Sequence, residues 1–307
     1  MYSFLFSVGL VAIIYSTQSF GSALNSYSHQ FSVLTENSKH VEINPTYITK
    51  QTAYRGRFSG NHYTYEASEK IYNFVYTHGL SDNSSIRAQT SIGDRSSHHT
   101  RNLEARDYKS SGMGDLSVAY NWLQKRDTSN VLFGGELSIS TQPNEVATSN
   151  RSGNFATGGH SIRPFLGYEH ATTFGVVGGL ISYQVFGPRT SLFKNSNGKT
   201  LDKETELGGN LLEIGSFAEY QSPTFLVGAS ISYGMHDSTD TKDSEGIVHY
   251  DSKSFLGTKL YGRQIIAEGL TLIPSIRYRS LLTKNIDNLE YSTGRDLALQ
   301  VSFEVTL

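Results

Sequence analysis

The sequence predicts an all-β protein, a twelve-stranded antiparallel transmembrane β-barrel with short periplasmic turns and long extracellular loops. Three observations predict it. The terminal segment 297–307 places Leu297, Leu299, Val301, Phe303, Val305 and Leu307 on one face and Ala298, Gln300, Ser302, Glu304 and Thr306 on the other. That period of two, at this length, crosses a bilayer as a tilted strand. Similar segments of about ten residues recur along the chain, and the connections between them alternate, short then long.

The elements follow in order. Residues 4–15 form an apolar run too short for a spanning helix. Gly21, Ser22 and Ala23 then supply the small side chains of a signal-peptidase site. The expectation is a signal peptide over 1–23, although no Lys or Arg precedes the run. An N-terminal extension over 24–40 follows, either periplasmic or part of a plug, and the barrel occupies 41–307. Its strands are expected at 41–49, 63–77, 85–93, 115–124, 131–140, 161–169, 174–186, 211–221, 224–234, 254–264, 270–280 and 297–307. The short connections are 78–84, 125–130, 170–173, 222–223 and 265–269. They are rich in Gly, Pro, Asn, Asp and Ser, the residues whose backbone and side-chain chemistry favours turns. The long connections are 50–62, 94–114, 141–160, 187–210, 235–253 and 281–296, polar and without apolar runs. A soluble sandwich has no reason to gather every long loop at one end. The terminal strand ends in Leu307, where closing strands of such barrels usually carry an aromatic residue.

Parity sorts the side chains, because neighbours on a strand point to opposite faces. Apolar rows such as Val131, Phe133, Leu137 and Ile139 are expected toward lipid, and rows containing Glu136 and Ser138 toward the lumen. Tyr120, Trp122, Tyr183, Tyr220, Tyr233 and Tyr278 fall near strand ends, at headgroup level. The inward rows carry Arg87, Glu136, Arg163, Glu169, Glu213, Glu219, Lys259, Arg263, Arg277, Arg279 and Glu304. Twelve strands give a backbone diameter of roughly 24 Å, so the lumen is narrow. These charges then either polarise a constriction that selects small solutes or pair into a plug that conducts nothing.

Two short motifs carry a family resemblance. His78-Gly79-Leu80-Ser81-Asp82 follows an aromatic strand, and Gly112-Met113-Gly114-Asp115-Leu116 leads into Val118, Tyr120 and Trp122. This resembles barrels of the phenol-degradation MetA-pathway family, with Ser81 in place of the usual Thr, over about Tyr72 to Trp122. The resemblance implies an outer-membrane channel or transporter.

Other chemistries are disfavoured. The chain has no cysteine, which excludes disulfides, a lipoprotein anchor and thiolate metal sites. Its net charge of −2 gives no reason to expect nucleic acid as a partner. His236-Asp237-Ser238 has the spacing of an outer-membrane phospholipase pair but lies in a polar loop, and adjacent His160 and Ser161 point to opposite faces. Neither holds a nucleophile against its base, so no enzyme is expected. His98, His99, Asp94 and Glu104 read as polar loop rather than as a metal site. So do Asp237, Asp240, Asp243, Glu245 and Asp251, which lack calcium-loop spacing. No cofactor is expected. The expected partners are outer-membrane lipids and lipopolysaccharide outside and a small solute inside. Gly135, Gly179, Gly262 and Thr258 on the lipid row suit either close approach of a second copy or bends in the wall. The expected function is passive diffusion of small solutes across the outer membrane. The competing reading is a non-conducting, lipid-organising barrel.

Overall fold

The computed structural model describes residues 33–307, apart from 57–59, 103, 141, 149–152, 195–198, 223, 243–245, 284 and 287–288. The signal-peptide expectation and residues 24–32 of the extension lie outside the described residues.

Twelve wall strands follow one another around a closed antiparallel barrel. They are β1 (Lys39–Gly56), β2 (His62–Ser81), β3 (Ser84–Arg101), β4 (Leu116–Lys125), β5 (Ser129–Ile139) and β6 (His160–Thr172). The second half is β7 (Gly175–Phe186), β8 (Gly209–Gln221), β9 (Phe225–His236), β10 (Lys253–Ala267), β11 (Leu270–Leu281) and β12 (Leu289–Thr306). Each pairs with the next, and β12 closes on β1 from His40↔Thr306 to Gly56↔Leu289. The ladder is interrupted at Asn44–Pro45 of β1, and again on β11 beside Pro274. A proline has no N–H to give.

All twelve strands coincide with the expected segments, and five tight turns sit at one end. What differs is their length. β1, β2, β3 and β12 run far above the apolar belt, so most of the expected loop 50–62 is strand, and Tyr54 stacks on Tyr63 at 4.9 Å. The stretch 94–114 is a hairpin, β3 continuing into Glu104–Met113. Asn144–Thr148, Arg189–Lys194 and Thr200–Glu206 pair with one another and with that hairpin's outer arm. The polar connections therefore extend the wall instead of lying as loops.

Outward rows are apolar through the belt. Tyr72, Phe74, Tyr76, Phe133, Leu166, Ile181, Ile214, Val227, Leu260 and Leu299 are all exposed. In water such a surface has no stable counterpart; in a bilayer it is the lipid face. Above Tyr47 and Tyr72 the same rows turn polar, through Lys70, Ser68 and Glu66. The six expected interface aromatics are all outward. Trp122 and Tyr220 lie near the turn end, where Trp122 meets Phe133 at 5.5 Å and Tyr220 meets Phe225 at 6.0 Å. Tyr183, Tyr233 and Tyr278 lie toward the other end, and Tyr120 sits two residues above Trp122.

Inside, an inward glycine repeatedly faces an inward aromatic on the next strand: Gly134 with Phe165, Gly178 with Phe217, Gly228 with Tyr261 and Gly234 with Phe255. A Cβ on any of these glycines would stand 2.1–2.4 Å from the ring. The rings lie flat against the wall because the facing residue has no side chain, which also lets the sheet curve tightly.

Candidate functional site: a lumen narrowed from both ends

Ten of the eleven expected charged residues fall on the less exposed, inward rows of their strands, and Arg277, itself exposed, shares its row with Ile273, Ser275 and Arg279 and pairs across the strands with Lys259. The eleven do not form one cluster. On one side of the barrel they are individually engaged. Arg163 donates to Glu136 at 2.5 Å, and the Asn130 amide donates to the fully buried Glu169 at 2.7 Å. The Tyr261 hydroxyl donates to Glu219 at 2.8 Å, reaching across from β10 to β8.

On the other side, His40, Glu42, Asn44, Thr77, Arg87, Lys259, Gln300, Ser302 and Glu304 surround a polar cavity of about 190 Å³. Glu42 and Glu304 are direct cross-strand partners at the β1–β12 seam. Arg263 stands 3.7 Å from Glu304, and His40 stands 3.5 Å from it. Glu42 is a lumen residue that sequence reasoning missed. Its signal was present, since Val41 and Ile43 flank it on the lipid row.

A second missed group lies higher in the lumen. Glu69 is nearly fully buried and accepts from Lys50 and Arg95, each at 2.7 Å. One carboxylate thus ties β1, β2 and β3 together at the level where the outward row turns polar.

The inward row is less polar than expected. Leu123, Leu132, Val176 and Phe217 are buried inside the barrel near its turn end, with Phe165 against them. The reason is a partner from outside the wall. Val33 packs into this cluster at 0% exposure, and Leu34, also 0% exposed, lines the polar cavity. The chain ahead of β1 therefore turns back into the lumen. The Asn37 N–H donates to the Gly79 carbonyl and the Gly79 N–H to the Ser38 carbonyl, both at 2.9 Å. A Cβ at Gly79 would stand 1.9 Å from the Thr35 carbonyl oxygen, so only glycine leaves the segment room. The described end of the extension, Val33 to Ser38, thus carries Val33 and Leu34 inside the barrel wall.

The opposite end is narrowed too. Phe155 and Ala156, on the connection between β5 and β6, are buried against the inner wall. Arg95 stands 5.2 Å over the Phe155 ring, and a Cβ at Gly93 would meet that ring at 2.7 Å. Asp115 anchors the segment, accepting from the Thr157 N–H at 3.1 Å and the Thr157 hydroxyl at 2.5 Å. The two motifs thus have structural roles in this chain. The glycine of 78–82 seats the N-terminal segment, and Asp115 of 112–116 holds the segment that carries Phe155.

The remaining candidates separate. His98 points outward and meets Asp107 at 2.7 Å, whereas His99 points inward between Tyr65 and Tyr108. Burial, with His98 beside it, holds the His99 imidazole below its ordinary range, and it lies well above the apolar belt. Asp240 and Asp251 both approach His249, at 2.6 and 3.8 Å. Among the described residues no group of three or more His, Asp or Glu could hold a metal ion. Asp243 and Glu245 lie outside the described residues. His160 and Ser161 lie on opposite faces of β6, and Ser161 accepts from Gln184 at 2.9 Å.

This is the architecture of an outer-membrane β-barrel. No family model and no curated protein matches the sequence, so the motif resemblance rests on its own residues. Solved structures do match. An outer membrane channel from Pseudomonas putida F1 shares 10% identity over 91% of this chain and 99% of that one, with a TM-score of 0.61. The transport unit of the autotransporter AIDA-I from Escherichia coli shares 9% identity over 99% and 97%, with a TM-score of 0.54. At such identities the likeness establishes the fold.

Proposed function

We propose that the protein is an outer-membrane channel for small polar solutes, closed at rest by its own N-terminal segment. One observation supports this reading above the others: charged side chains line a polar cavity of about 190 Å³ inside a wall whose outer face is apolar. A barrel meant only as a wall gains nothing from charges taken out of water, which are costly unless paired. The resemblance at 78–82 and 112–116 to a family of channels and transporters favours the same reading, as does the likeness to a channel.

Planar-bilayer recording of the folded protein tests it. The wild type is expected to conduct rarely and in small steps, and Val33→Asp/Leu34→Asp to conduct more often. Arg277→Ala/Arg279→Ala is expected to shift ion selectivity toward cations. A folded barrel that never conducts in either background overturns the channel. The buried Val33 and Leu34 favour one alternative, a permanently filled barrel that organises lipid and lipopolysaccharide around itself, and that result would support it.

A further inference from the structure

Pairing in the lumen is uneven. Glu136, Glu169, Glu219 and Glu304 each have a donor or a cation beside them. Four cations do not have the converse. Among the described residues no carboxylate stands at ion-pairing distance from Arg87, Lys259, Arg277 or Arg279. Arg87 donates instead to the Gln89 amide oxygen at 3.2 Å, and Arg279 lies over the Phe255 ring at 4.3 Å. Glu213 and Asp296 act on Arg277 only at longer range.

Lys259 on β10 and Arg277 on β11 are moreover direct cross-strand partners, both inward. Like charges in that relation destabilise a sheet. Glu42 and Glu219 act on Lys259, and Glu42 on Arg87, but beyond ion-pairing distance, so the fold keeps the Lys259–Arg277 pair at a cost that an anion seated between them would relieve. Lys259 and Arg87 both line the 190 Å³ cavity, and Arg277 stands beside Lys259.

We propose that Arg87, Lys259 and Arg277 form a binding site for a small organic anion bearing one or two carboxylates. Two cations on adjacent strands match the two oxygens of a carboxylate, and Arg87 faces it from β3. Glu42 and Glu304 border the same cavity. They limit the anion's size and keep its hold loose enough for release, which passage through a channel requires. The site gives the channel its solute class and in that respect rests on the channel reading. Binding itself needs no open pore.

The test is therefore calorimetric. Malonate is titrated into the folded, detergent-solubilised full chain at low salt, with folding checked by heat-modifiable gel mobility. Saturable binding that chloride competes away is expected. Lys259→Gln and Arg277→Gln are each expected to weaken it about 10-fold or more. Lys259→Arg keeps most of it, and Lys70→Gln on the outer wall leaves it unchanged. No binding, or equal binding by a folded Lys259→Gln/Arg277→Gln protein, overturns the site. Malonate binding without any conductance overturns the channel and leaves the site standing. Conductance without malonate binding does the opposite.

Discussion

Replacing Val33 and Leu34 with alanine should open the barrel without unfolding it. Both side chains are fully buried. Burying a Val and a Leu contributes about 3–6 kcal/mol together. The backbone bonds of Asn37, Ser38 and Gly79 add about 1 kcal/mol each. Against this stands the ordering of six residues, at about 1–2 kcal/mol per residue. The opposing totals lie within a few kcal/mol of each other, so the docked and released segments are close in free energy. Truncating Leu34 alone removes about 2 kcal/mol or more. That is roughly a 30-fold change in the docked-to-released ratio, at 1.4 kcal/mol per decade. Wall pairing is untouched, because β1 begins at Lys39 and holds both its neighbours along its length. The assay is single-channel recording at fixed protein density, with heat-modifiable mobility as the folding control. A rise in open probability of at least tenfold is expected for Val33→Ala/Leu34→Ala. An unchanged open probability in folded protein would refute the reasoning, because it would mean that the segment does not obstruct the conduction path.

Gly79→Val should reproduce that phenotype from the wall side, since its Cβ would overlap the Thr35 carbonyl oxygen; recordings that match wild type would show that the segment can reseat. Gly228→Val should displace Tyr261 and break its 2.8 Å hydrogen bond to Glu219. Overpacking of this kind costs about 1–3 kcal/mol, read as a lower urea midpoint for refolding into liposomes. Glu69→Gln removes the negative charge shared by Lys50 and Arg95. Those partners are themselves near a third exposed, so the stability loss should stay near about 1 kcal/mol. Reversal potentials should meanwhile move toward anion preference. Asp115→Ala should free the Phe155 segment and enlarge the conductance step, whereas the N-terminal variants change how often the channel opens.

Legibility in the sequence followed the membrane. Where one face of a strand meets lipid and the other meets the lumen, residues alternate, and the twelve strands and inward charges such as Arg163 and Lys259 could be placed by parity. Above the belt both faces are wet, so nothing forces alternation. That is why the upper parts of β1, β3 and β12 read as polar loop although they are strand. Glu42 and Glu69 obey the same parity as their neighbours. Glu69 is hard to place from sequence because the second strand mixes Lys70 and Glu66 into its outward row, whereas Glu42 is marked by Val41 and Ile43 on either side. Leu123, Leu132 and Val176 are a different case: inward apolar residues make sense only once Val33 is known to lie among them.

The two constrictions come from segments with no periodicity of their own. Val33 and Leu34 precede the first strand, and Phe155 sits between strands, so pattern alone assigns them to nothing. What identifies them is the wall that receives them. Gly79 and Gly93 leave room that no other residue would leave, and Asp115 offers two oxygens to Thr157. A smooth barrel has no need of an inward glycine beneath a turn or an acid aimed at a loop. These wall residues therefore link the short motifs to the two segments that narrow the lumen: the positions that resemble a transporter family are the ones that seat them. Substitutions at Gly79 and Asp115 should then be close to additive in their effects on conductance, since the segments they seat lie at opposite ends of the lumen and share no partner among the described residues. A strongly non-additive Gly79→Val/Asp115→Ala double variant would mean that the two segments meet, or move together, inside the barrel.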